Sequence, residues 1–229
     1  MKKIFILVVL IALILVASQL AYYFISKKQN SAPDNSSSFP IEKNNFDEKS
    51  EGDGKLPLDI KDNKNSFPIS DAASRITKKP FGIYINPGSS PVQPEKFTGY
   101  HTGTDFEVKD EELDQDVEVS AICRGEIVKQ QRVTGYGGVI IQKCDIDNKE
   151  VRVLYGHLVL AKKITSVGDL VTSGDKIAVL ADQNSEDAFG ERKHLHLGIY
   201  PGKEIDWRGY VASENELARW LNPAQVLNL

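Results

Sequence analysis

Between about residue 100 and residue 200, apolar and polar residues alternate in short runs broken by glycine- and asparagine-bearing turns. A period of two is the mark of half-buried β-strands, whose successive side chains point to opposite faces. It predicts strands at residues 106–108, 117–123, 125–128, 139–144, 151–155 and 194–200. Thr134-Gly135-Tyr136-Gly137-Gly138 reads as the turn of an antiparallel hairpin between the runs on either side. Residues 167–177 read as two further short strands around tight glycine turns, and only residues 214–221, stopped by Asn222-Pro223, carry a helical pattern. The expected fold class is all-β: a compact antiparallel β-sheet or sandwich-like domain over residues 75–229.

The N-terminal part departs from this pattern twice. Residues 4–25 are apolar except for Ser18 and Gln19, and lysines flank them at Lys2-Lys3 and Lys27-Lys28. As a helix this stretch reaches about 33 Å, enough to cross a hydrocarbon core of roughly 30 Å. Tyr22 and Tyr23 stand where an interfacial aromatic belt belongs. Residues 1–28 are therefore expected to be a transmembrane anchor, with the rest of the chain outside the cytoplasm. The alternative is a cleaved signal peptide with Val16-Ala17-Ser18 as the cut site. No cysteine lies near that site, which excludes lipid attachment there. Residues 29–74 are dominated by Asn, Ser, Asp, Lys, Glu, Gly and Pro and are expected to be a flexible linker. Within it Ser38-Phe39-Pro40-Ile41 recurs as Ser66-Phe67-Pro68-Ile69, either a coincidence or a weak docking segment.

Composition narrows the function. With 229 residues the chain holds one domain of ordinary size plus extensions, and a net charge of −4 argues against a nucleic-acid partner. The two cysteines, Cys123 and Cys144, form no Cys-x-x-Cys, so neither a cysteine zinc site nor a thioredoxin-like motif is available. They flank the hairpin turn almost symmetrically. In an exported chain they are expected to form either a disulfide or two buried thiols.

The candidate chemistry lies in the histidines, of which there are four. Lys193-His194-Leu195-His196-Leu197-Gly198 places His194 and His196 on one face of a strand and the two leucines on the other. Upstream, His101 and Asp105 are separated by three residues in a glycine-containing turn that runs into a strand, and His157 follows the strand at 151–155. His101, Asp105 and one histidine of the His-x-His would give two nitrogens and a carboxylate. That is a catalytic-type zinc set, with a fourth position open to water or substrate. Zn²⁺ is the expected ion, and other first-row metals, which also accept such ligands, stay open as alternatives. There is no His-Glu-x-x-His motif, so a non-ligand histidine has to serve as the base.

In their order, His101-x-x-x-Asp105, Tyr155-x-His157 and His194-x-His196 resemble the lysostaphin-type (M23, or LytM-domain) zinc metallopeptidases. The Gly-Tyr-Gly-Gly turn and the glycine-marked segment at 167–177 resemble the same family, and the likeness covers about residues 80–200. The resemblance implies a compact antiparallel β-domain with a groove over the metal, and hydrolysis of peptides of bacterial peptidoglycan. It implies that His101, Asp105 and His196 are the zinc ligands and that His157 and His194 are the catalytic histidines. Some relatives are catalytically silent regulators of other wall hydrolases, and a cell-wall-binding module is a further alternative. The chain departs from the family pattern in residues 182–193, where a Gly/Ser/Thr-rich turn and a proline are common, and at Gly198, where an acidic residue is common. Loops 86–98 and 182–193 are expected to wall the groove.

Overall fold

The computed structural model describes residues 66–229. The expected anchor, most of the linker and the first Ser-Phe-Pro-Ile copy lie outside the described residues. Among those described, no helix is long and apolar enough to cross a membrane.

The longest alternating runs fold into adjacent antiparallel strands. β5 (Gly125–Val133) and β6 (Gly137–Ile146) form the hairpin expected around Gly135-Tyr136, and β7 (Lys149–Gly156) returns beside β6. β10 (His194–Pro201) lies between β7 and β3 (Gly103–Glu107), and β8 (Leu170–Val171) closes the far edge. The result is a six-stranded sheet in the order β3-β10-β7-β6-β5-β8. Two smaller sheets accompany it. One pairs β4 (Glu118–Ser120) with β9 (Lys176–Val179); the other has the order β1-β2-β11, from Tyr84–Ile85, Gly99–His101 and Tyr210–Val211. The all-β, antiparallel expectation holds for the described residues; the helices are single turns, such as α1 (Ala72–Arg75), α2 (Glu214–Leu217) and α3 (Pro223–Val226).

The main core lies between the large sheet and the β4–β9 pair. Ile127, Ile140, Val153, Tyr155, Leu195, Leu197 and Ile199 meet Val119, Ile177, Ala178 and Leu180, all essentially inaccessible to water. Each valine, leucine or isoleucine among them, taken wholly from water, stabilises by about 1.5–3 kcal/mol. A smaller cluster of Tyr136, Val139, Ile141 and Leu154 covers the other face of the same sheet. Cys123 and Cys144 are joined as a disulfide with Cα atoms 6.2 Å apart, tying the bend before β5 to the end of the hairpin.

Several boundaries differ from the sequence reading, each for a local reason. The folded region already includes residues 66–74. Ser66 N–H donates to the Ile122 carbonyl at 3.1 Å, Ser120 N–H donates to the Pro68 carbonyl at 2.9 Å, and Ile69 and Ala72 enter the core. The second Ser-Phe-Pro-Ile copy is thus docked on the domain. The strand at 117–123 shortens to β4 because the chain bends at residues 121–124, where Cys123 turns toward Cys144. β5 extends past Val128 because a register shift between Ile127 and Lys129 breaks the alternation that would have revealed it. The helix at 214–221 is only α2; the chain then leaves the helix and restarts at α3, capped by Asn222.

Candidate active site

β10 carries the His-x-His at the centre of the arrangement. Leu195, Leu197 and Ile199 project into the main core, so the opposite face presents His194, His196 and Gly198. On one side the register sets His196 opposite Asp105 and His194 opposite Glu107; on the other it sets His196 opposite Gly156, immediately before His157. The chain passes from β2 in the small sheet to β3 in the large one through Thr102, which brings His101 back over Asp105. Gly103 makes room for this. A Cβ there would lie 2.5 Å from His196 Cε1 and Nε2, so a side chain at that position would displace the ring.

Three donor atoms converge. His101 Nε2 is 3.1 Å from His196 Nδ1 and 3.3 Å from Asp105 Oδ1, and His196 Nδ1 is 3.0 Å from the same oxygen. All three residues are buried. His101 Nδ1 faces the Pro80 carbonyl at 3.3 Å, and His196 Nε2 faces the Tyr136 hydroxyl at 3.4 Å. With the protons on these outer nitrogens, three lone pairs point at one another, which is repulsive unless a cation sits among them. A tetrahedral ion with bonds of about 2.0–2.2 Å needs donors roughly 3.3 Å apart, close to what is found.

The protonation states suit the same purpose. Burial pushes the His196 imidazole down to about 4, against the pull of the adjacent Asp105 carboxylate. Burial alone would raise the Asp105 carboxyl, but the charges of His194, His101 and Arg192 together hold it well below the usual carboxylate range. A neutral imidazole and an ionised carboxylate are the forms that bind metal.

The other two histidines stand beside this triad without joining it. His194 Nδ1 donates to the Arg192 carbonyl at 2.9 Å, and its Nε2 lies 3.4 Å from Asp105 Oδ2. His157 Nδ1 donates to the Ala188 carbonyl at 3.2 Å, and its ring lies over that of His194 with centroids 4.2 Å apart. Burial, reinforced by His194, holds His157 well below its ordinary pKa and keeps it neutral. His157 has φ of 62°, the left-handed region that non-glycine residues rarely adopt. The structure therefore brings together all five residues singled out in the sequence.

A model of peptidase family M23 matches residues 99–207, the segment that carries these five residues. Over that segment the chain is similar to peptidase family M23. No curated protein matches. Among solved structures, LytU is 23% identical, with 67% of this chain and 84% of that chain covered and a TM-score of 0.46. Lysostaphin from Staphylococcus simulans is 20% identical, with 72% and 53% covered and a TM-score of 0.46. A zinc-containing peptidase from Vibrio cholerae is 21% identical, with 63% and 40% covered and a TM-score of 0.39.

The site opens into a cleft of about 340 Å³ walled by Phe97, Tyr136, Trp207, Arg208 and Tyr210, with Asp105, His157, His194 and His196 on its floor. Both loops expected to wall it contribute, through Phe97 from 86–98 and Glu191 and Arg192 from 182–193. The first loop is anchored by a buried ion pair, Lys79 Nζ to Glu95 Oε2 at 2.6 Å. Phe97 then stacks on Tyr210 with ring centroids 5.2 Å apart. Lys79 Nζ also donates to the Tyr210 hydroxyl at 3.0 Å.

Sequence reasoning missed Tyr136, Tyr210, Lys79 and Arg192. Tyr136 had the clearest signal, as an aromatic residue between glycines in a tight turn; burial and the Asp105 charge raise its phenol, so it stays protonated. Arg192 offered only a position two residues before His194. At the other departure, the ring of Trp220 occupies the space beside Gly198, 3.4 Å from where a Cβ would stand.

Proposed function

We propose that the protein is an exported, membrane-anchored zinc metalloendopeptidase that hydrolyses peptide cross-links or bridges of bacterial peptidoglycan. The observation that carries this reading is the convergence of His101 Nε2, Asp105 Oδ1 and His196 Nδ1 at 3.0–3.3 Å, with two further histidines aimed at the same cleft. Peptidoglycan as substrate rests on the ordered motifs and on the match of residues 99–207 to peptidase family M23. Export and anchoring rest on the apolar run at residues 4–25.

His101, Asp105 and His196 would hold the ion. Zinc bound there supplies a Lewis acid that polarises a carbonyl and makes water acidic enough to attack near neutrality. The chain's own residues do the rest. His194 has its Nδ1–H fixed on the Arg192 carbonyl, so Nε2 is the atom free to take a proton from the attacking water. Asp105 Oδ2, 3.4 Å away, stabilises the imidazolium that results. His157, held neutral with Nδ1–H on the Ala188 carbonyl, presents Nε2 as an acceptor that orients the water. If His157 gains a proton during the reaction, it becomes a donor to the developing oxyanion. The aromatic walls exclude water around an extended peptide. A silent regulator or a wall-binding module would have no use for two histidines fixed beside a complete donor set.

The test is metal analysis of the purified protein together with digestion of isolated sacculi, the new termini being identified by mass spectrometry. Stoichiometric zinc and new peptide termini are expected; bound zinc without cleavage would favour the regulator or binding module. For the anchor, the full-length protein should stay with membranes through a carbonate wash. A soluble mature chain beginning near Gln19 would instead establish the signal peptide.

A further inference from the structure

Asp105 uses its two oxygens differently. Oδ1 faces the two ligand histidines, while Oδ2 accepts a hydrogen bond from Arg192 Nη2 at 2.8 Å. Arg192 is itself clamped: its Nε donates to Glu107 Oε2 at 2.8 Å and to Oε1 at 3.0 Å. Glu107 stands two residues after Asp105 on β3, so both carboxylates project from the same face of that strand. Asp105 is buried and Glu107 nearly so, and the Arg192 side chain is only 14% exposed. The backbone carbonyl of Arg192 also receives the Nδ1–H of His194. One residue thus holds the second oxygen of Asp105 with its side chain and the His194 ring with its backbone.

A carboxylate can bind a cation through one oxygen or two. With a guanidinium on Oδ2, swinging that oxygen toward the ion would break a charge-assisted hydrogen bond in a buried site and leave Arg192 one acceptor short. It would also fill a position that a catalytic zinc site keeps open. We propose that Arg192 is a positioning residue that ties down Asp105 Oδ2, restricts Asp105 to one oxygen toward the ion, and so keeps the ion's remaining position open for substrate. This rests on the zinc-peptidase reading above, but its primary readout is metal binding, which can be measured whether or not peptidoglycan is the substrate.

The consequence runs against intuition. In Arg192→Gln the cation that competes for Asp105 is gone and Oδ2 is free, so the ion gains an oxygen ligand and is held more tightly while turnover falls. Loss of folding or simple disorder of the loop would lower both.

The experiment uses the full-length protein. Zinc affinity is measured by competition with a chromophoric chelator, sacculus digestion gives the rate, and melting of the metal-free protein reports folding. The expected result for Arg192→Gln is zinc held roughly 10-fold more tightly, opposite to the 10–100-fold weakening usual when a residue supporting a metal ligand is lost, with a rate lower by about 10–100-fold. Arg192→Lys keeps a cation for Oδ2, and its affinity should stay within about 3-fold of wild type, well short of that scale. Weaker or unchanged zinc binding in Arg192→Gln, or a full rate, would overturn the proposal. A zinc-loaded crystal structure of the wild-type protein decides the matter without any variant. One Asp105 oxygen on the ion and the other on Arg192 is expected; both oxygens on the ion would overturn it.

Discussion

Removing a single oxygen from Tyr155 tests whether the strand that delivers His157 depends on a buried polar network beneath it. Tyr155 is fully buried on β7, two residues before His157, on the core side of the sheet. Its hydroxyl donates to Gln142 Oε1 at 2.7 Å and accepts from Ile122 N–H at 2.9 Å; Gln142 Nε2 in turn donates to the Cys123 carbonyl at 2.8 Å. Burial raises the phenol far above its ordinary pKa, so it remains a neutral donor at any working pH. Tyr155→Phe keeps the ring and opens no cavity, but it leaves one buried acceptor and one buried donor without partners. Ile122 and Gln142 are both 0% exposed, so water cannot replace the lost bonds without opening the core. At about 1–3 kcal/mol for each stranded group, with partial relaxation, the expected loss is roughly 2–4 kcal/mol. For a domain of this size that lowers Tm by about 5–15 °C. Denaturant and thermal unfolding should be followed on the metal-free protein, since bound metal would add its own stabilisation. Zinc content and activity well below the transition should match wild type. A loss under about 0.5 kcal/mol would refute the reasoning, because it would mean that the two groups find other partners.

The remaining predictions concern the site, the cross-link and acid stability. His196→Ala should lose both zinc and activity. His194→Ala and His157→Ala should keep about one zinc per chain while the rate falls by roughly 10²–10⁴; metal analysis of each purified variant checks this, and zinc loss in His194→Ala with retention in His196→Ala would reverse the ligand assignment. Reducing the Cys123–Cys144 bridge, which spans 21 residues, should cost about 3 kcal/mol in the chain-entropy picture, seen as a lower denaturant midpoint. The Arg75 guanidinium holds Glu112 down at about 2, so this pair stabilises the fold fully above the ordinary glutamate range and loses that contribution as pH falls through about 2. Acid titrations of stability for wild type and Glu112→Gln should therefore converge at low pH and separate above about pH 4.5.

The sequence carried the parts of this protein that depend on local periodicity. Alternation in His194-Leu195-His196-Leu197 put the histidines on one face because a strand has no other way to arrange them, and burial of Leu195 and Leu197 fixed which face. The five candidate residues could be named because their spacing and order resemble a known set of motifs. Where local pattern was interrupted, the reading failed. The bulge after Ile127 hid half of β5, and the polar surroundings of Ser66-Phe67-Pro68-Ile69 concealed a segment that docks through two backbone hydrogen bonds and one buried isoleucine. The partners of Arg192 and Tyr136 were hidden for a different reason. Arg192 meets its partners across 85 and 87 residues, and Tyr136 meets His196 across 60. Such contacts are set by strand order and register, which bring β3, β10 and β7 side by side. Sequence alone determined which groups could do chemistry. Only the tertiary structure decided which oxygen of Asp105 faces His101 and His196 and which is held by Arg192, because that choice is made by neighbours that are distant along the chain.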